Sequence, residues 1–138
     1  MEFAVVSDYR DLRVWQDAMG LAELVYEMTR KLPTEERFGL SMQLRRAAVS
    51  VASCIAEGNA RASTKDYARF LSMSAGSLAE IETQTLLVRR LGYLAEADTV
   101  KPLAVTHSLM RQIQALKKAL VRKREAARSP FPVPRSPL

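Results

Sequence analysis

Cys54 is the only cysteine of the chain, and it stands in the run RRAAVSVASCIAEGNARAS, residues 45–63. A cysteine nucleophile needs a thiolate favoured by a neighbouring cation or base, commonly a histidine. The one histidine, His107, is far along the chain. Helix-forming residues flank Cys54 on both sides, so a small buried cysteine is expected rather than a reactive one. The single histidine also bears on metals. Di-iron helical bundles use inward glutamates and a Glu-x-x-His pair from each of two helices, and here position 104, three before His107, is alanine. The ligand count fails, so neither a metal nor a cofactor is expected. No phosphate-binding glycine loop, nucleophile elbow or paired-glycine dinucleotide fingerprint is present. Catalysis of a known type is not expected.

The charge pattern points to binding instead. The net charge is +6, and between Arg111 and Leu138 eight basic residues face one acid, so the first 110 residues are close to neutral. A positive segment this localised suits an anionic partner, with nucleic acid the commonest kind. Lys117, Lys118, Arg122, Lys123, Arg124 and Arg128 are the candidate phosphate contacts, with Arg45, Arg46 and Arg61 as a second patch. The bland alternative is a solvated helix end whose cations face the C-terminal dipole. Few exposed aromatics are evident, so recognition by shape and charge is expected, without base stacking.

A second set of residues suits contact between helices. Gln43, Arg46, Ser50, Cys54 and Glu57 recur at three- and four-residue steps, beside a separate apolar line. Arg69, Ser72, Ala75, Gly76, Ser77 and Glu80 form a matching small or polar set further on. Small residues let backbones approach, and a mid-helix glycine such as Gly76 costs roughly 1 kcal/mol against alanine. Two explanations stand: close packing within one subunit, or a contact between subunits in which Gln43, Arg46, Ser50, Glu57, Arg69 and Glu80 form a polar network.

Four helices must position these residues. The first spans Asp11–Lys31, with Leu12, Trp15, Met19, Ala22, Tyr26 and Thr29 on one stripe and Pro33 as its stop. The second starts within Thr34–Phe38, with Thr34 as N-cap and Glu35 and Glu36 in the first turn. Its line is Leu40, Leu44, Ala48 or Ala47, Val51 and Ile55, and Gly58-Asn59 ends it. The third is capped by Ser63 with Asp66 in support, carries Tyr67, Phe70, Leu71, Ser74, Leu78, Ile81, Thr85 and Val88, and ends at Leu91-Gly92. The fourth runs from Glu96 or Asp98 to Ala126, with Leu103, His107 or Thr106, Met110, Ile113, Leu116 and Leu120 on its stripe. Pro102 is tolerable there only in the first turn.

Short connections between such helices predict an all-α, antiparallel up-down-up-down four-helix bundle over residues 1–127. Residues 128–138, with four prolines in SPFPVPRSPL, form a proline-rich tail outside the fold. One domain is expected from 138 residues at 48% apolar content. No signal peptide or membrane span is evident, and a lone cysteine implies no disulfide framework, so a soluble, cytoplasmic protein is expected.

The segments DLRVWQDAMGLAELVY (11–26), LPTEERFGLSMQLRRAAVSVASCIAEG (32–58), STKDYARFLSMSAGSLAEIETQ (63–84) and LGYL (91–94) together resemble one family. It is the four-helix-bundle proteins encoded in intervening sequences of bacterial 23S ribosomal RNA genes, over roughly residues 9–120. The chain departs in carrying Tyr9 where the family usually has Phe and Cys54 where it usually has Asn. The family is similar to the accessory variability determinant proteins of diversity-generating retroelements. The resemblance implies a homopentameric ring, and together with the basic C-terminal segment it leads to the expectation of a nucleic-acid-binding oligomer whose ligand is structured RNA. An alternative is a homo-oligomeric scaffold for a protein partner such as a reverse transcriptase, with the proline tail as a docking arm.

Overall fold

Four helices carry residues 8–128, the part of the chain that the computed structural model describes: α1 (Arg13–Thr29), α2 (Leu40–Ala60), α3 (Thr64–Arg90) and α4 (Glu96–Arg128). No strand occurs among these residues, as the all-α expectation requires. The proline-rich tail, 129–138, lies outside the described residues. Each helix packs on two others, α2 on α1 and α3, and α4 on α3 and α1. Lys31 Nζ, just past α1, meets Asp98 Oδ1 at 3.0 Å and Gln112 Nε2 donates to Asp17 Oδ2 at 2.9 Å, tying α1 and the turn after it to α4.

The ends of α3 follow from local chemistry. Ser63 Oγ accepts the Asp66 amide at 3.2 Å, the cap read from the sequence. At the other end Gly92 takes φ of +77°, its amide donates to Arg89 O at 3.0 Å, and the Tyr93 amide donates to Val88 O at 3.1 Å. This is a Schellman turn, and it needs a residue without a Cβ penalty in the left-handed region.

The ends of α2 differ from expectation. Thr34, Glu35 and Glu36 form a separate 3-10 turn, and α2 begins at Leu40. Thr34 is not its cap. The Leu40 amide is held by Glu36 Oε1 at 3.1 Å, while Glu36 Oε2 accepts the Tyr93 hydroxyl at 3.0 Å. The anchor of that carboxylate lies after α3, beyond any local pattern. Gly58 is not a helix stop either, since α2 continues to Ala60. A Cβ at Gly58 would stand 2.8 Å from Phe70 Cβ and 3.0 Å from Tyr67 Cδ1. Glycine is there because α3 crosses α2 at that point. Gly58→Ala gains helix propensity but collides with a backbone-anchored atom, so it is expected to lose about 1–2 kcal/mol in urea unfolding. An unchanged or raised midpoint would show that the crossing can relax.

The core lines of α2 and α3 are those read from periodicity except at their first members: Leu44, Ala47, Ala48, Val51 and Ile55 and Phe70, Leu71, Ser74, Leu78, Ile81, Thr85 and Val88 are buried, while Leu40 and Tyr67 are half-buried. In α1 the line is displaced. Val14, Ala18, Leu21, Val25 and Met28 are buried, whereas Met19 is 43% exposed and Leu12, Trp15, Ala22 and Tyr26 are half-buried on the flank. Thr29 alone of the expected stripe is buried. Both lines have helical spacing, and contact with α2 and α4 selects between them. In α4 the buried line is Thr99, Pro102, Thr106, Leu109 and Ile113, so Thr106 and not His107 faces inward. Pro102 lies in the second turn rather than the first. Its ring is buried, and its carbonyl accepts Thr106 Oγ1 at 2.7 Å. Helix α4 also runs past Ala126 to Arg128.

Candidate nucleic-acid interface

Ile113 is the last buried residue of α4, and the helix continues through residues 114–128. At 1.5 Å per residue that extension is about 22 Å long. Leu116 and Leu120 are half-buried against the core edge, and beyond them the helix is mostly exposed. Lys118, Arg122, Lys123 and Arg128 are exposed, and Lys117 and Arg124 are half-buried. Helical spacing puts Lys117, Arg124 and Arg128 along one side and Arg111, Lys118 and Arg122 along another. Among the described residues none of these cations has a carboxylate within 4.0 Å. Glu125 is the only acid on this stretch. The result is a cationic rod whose charge is not neutralised from within the described chain, able to run beside a phosphate backbone.

The polar residues of α2 and α3 divide into a seam and an outer face. Ser77 Oγ donates to Ser50 Oγ at 3.0 Å, Ser74 Oγ to the Val51 carbonyl at 2.9 Å, and Gln84 Nε2 to Gln43 Oε1 at 3.1 Å. Cys54 is buried in the same seam, its sulfur 3.7 Å from Ser50 Oγ. His107 is elsewhere, paired with Glu82 across α3 and α4. Cys54 is therefore a packing residue.

Arg46, Arg69 and Glu80 point outward without ion partners among the described residues, and Glu57 pairs with Arg61 at 3.5 Å. Arg46, Glu57, Arg69 and Glu80 make no ion pair with one another inside the described chain. Arg61 and Arg69 instead lie 5.0 and 4.9 Å from the Phe70 ring centroid. Met42, Val49, Met73 and Leu87 are exposed on the outward sides of α2 and α3. Gly76 has no atom within 4 Å of where a Cβ would stand, so packing of α2 on α3 does not require it. The close approach inside the chain is at Gly58.

One expectation about the surface needs correction. Arg45, Arg46 and Arg61 do not make one patch. Arg61 follows the C-terminal end of α2 with Glu57, and Arg45 lies near the start, its Nε donating to Thr29 Oγ1 at 2.8 Å. Exposed aromatics are few among the described residues, as expected, but one stands out. Phe38 is 72% exposed, with the Arg37 guanidinium carbon 4.6 Å from its ring centroid. The available sequence signal was that Phe38 sits on no apolar line and directly precedes a glycine.

Among the described residues no three His, Cys, Asp or Glu side chains gather as metal ligands. No described helix is long and apolar enough to cross a membrane. Residues 10–116 match the model of the family described as 23S rRNA-intervening sequence protein. No curated protein matches the chain. The matched span stops one residue before Lys117, so the basic end of α4 lies past it.

Proposed function

The chain belongs to the 23S rRNA-intervening sequence protein family, and from that premise we propose that it is a non-enzymatic homo-oligomer that binds structured RNA through the distal half of α4. The observation that carries this reading is the cationic rod itself: Lys117, Lys118, Arg122, Lys123, Arg124 and Arg128 extend past the last buried residue of α4 with no carboxylate partner among the described residues. The family description, with its ribosomal RNA setting, favours RNA as the anion. The subunit is an antiparallel up-down-up-down bundle, supported by Gln43 meeting Gln84, Ser50 meeting Ser77 and Gly58 meeting Phe70 in descending order. Subunits join into a homopentameric ring through the outer face of α2 and α3. Exposed Val49, Met73 and Leu87 and the unoccupied space beside Gly76 support that contact. Repetition around a ring multiplies weak phosphate contacts into useful avidity.

A filter-binding titration of structured RNA at several salt concentrations tests the reading, with the oligomer mass followed by light scattering. The affinity is expected to fall steeply with salt, with a log–log slope of several units, because each phosphate contact releases counterions. A salt-independent affinity, no binding at low salt, or a monomeric mass overturns it.

A further inference from the structure

A cleft of about 530 Å³ opens between the end of α1 and the start of α2. Tyr26, Thr29, Arg37, Phe38, Arg45 and Arg46 lie on its walls. We infer that it is a second, distinct contact for RNA, taking one unpaired nucleotide with the base on the Phe38 ring and the phosphate on Arg37 and Arg45. This rests on the proposed RNA-binding function and adds a single-strand preference that the α4 rod alone does not supply.

The charge of the cleft fits this occupant. Arg37, Arg45 and Arg46 have no carboxylate within 4.0 Å among the described residues. Glu36 borders the same turn, but its two oxygens are taken by the Leu40 amide and the Tyr93 hydroxyl. Glu35, exposed, is the other acid of that turn. An apolar partner helix would leave three guanidiniums to be desolvated without a counter-charge, whereas a phosphodiester supplies one.

The site is also held in place. Arg45 Nε donates to Thr29 Oγ1 at 2.8 Å, its guanidinium carbon lies 4.6 Å from the Tyr26 ring centroid, and Thr29 Oγ1 is itself bonded to the Val25 carbonyl at 2.8 Å. The remaining Arg45 nitrogens are aimed by this clamp, so less rotamer freedom is lost when an anion arrives. Phe38 is the most exposed large apolar side chain among the described residues. The turn around it is pinned, because Glu36 Oε1 stands 2.5 Å from where a Gly39 Cβ would be and caps Leu40. An exposed ring on a pinned turn beside arginines is a stacking platform, and a stacked duplex base cannot reach one.

Anisotropy titrations of the full chain with a fluorescein-labelled oligoadenylate and with a blunt RNA duplex separate the contacts. Phe38→Ala and, independently, Arg37→Gln are expected to weaken oligoadenylate binding by roughly tenfold and to change duplex binding by less than about twofold. Both side chains are exposed, so circular dichroism should report unchanged folding. Equal losses for both RNAs, or no loss for oligoadenylate, overturn the inference. So does a changed oligomer mass in Phe38→Ala, which would make the cleft a subunit contact. Added AMP should shift the amide resonances around Phe38 where inorganic phosphate at equal concentration does not, and equal effects of the two reduce the site to a bare anion hole. The AMP response should persist when the α4 cations are reversed, so failure of the rod and failure of the cleft give different results.

Discussion

If α4 is the proposed RNA contact, replacing Lys117, Lys118, Arg122, Lys123 and Arg124 together with glutamate is expected to lower the affinity for structured RNA on the order of a thousandfold at low salt, with the salt slope collapsing towards zero. The size follows from the placement of these residues. Each cation that neutralises a phosphate contributes close to one unit of the log–log salt slope, and glutamate adds repulsion where attraction was lost. In the proposed ring both effects would recur in every subunit. The fold should tolerate the change, because none of the five is buried and the apolar contacts of this stretch come from Leu116 and Leu120. Acids near a helix C-terminus cost a few tenths of a kcal/mol each through the dipole, so some fraying of the last turns is expected. Glutamine at the same five positions controls for that, with an intermediate loss of affinity at unchanged helix content. Affinity within about threefold of the parent in both variants would mean that the rod is only a solvated helix end.

The second large effect is on stability, and it distinguishes two faces of one helix. Leu21→Ala is expected to lower the unfolding free energy by about 2–5 kcal/mol, and Met19→Ala by less than about 1 kcal/mol. Leu21 has no exposed surface and sits in the continuous core with Val25, Leu44 and Leu78, so truncation leaves a cavity lined by side chains from several helices. Met19, nearly half exposed, leaves water where its side chain was. A domain of this size has only about 5–15 kcal/mol in total, so the first variant should melt at visibly lower urea and the second should not. Equal losses would place the α1 core on the line read from periodicity alone.

That comparison shows why some of the fold was legible and some was not. The core lines of α2 and α3 are largely read correctly because each has one dominant apolar line, although the ends of α2 are not. Helix α1 carries two apolar lines side by side, Leu12-Trp15-Met19 and Val14-Ala18-Leu21, and spacing does not choose between them. The same holds for Leu103 against Pro102 and for His107 against Thr106. Glycines show the limit in another form. Gly92 reads correctly because a left-handed C-terminal turn is a local requirement. Gly58 and Gly76 look alike in sequence, yet one is needed for a helix crossing and the other faces open space.

For the candidate surface, the chain alone determined the location of the positive charge, the family resemblance and the poverty of catalytic groups, since these depend on which residues are present and in what order. Only the tertiary structure decided that Ile113 is where the core lets go of α4, that Arg45 is clamped between Thr29 and Tyr26, and that Phe38 is held outward by a carboxylate tied to Tyr93. Exposure and partnership are properties of pairs of residues far apart in the chain. A local pattern has no term for either.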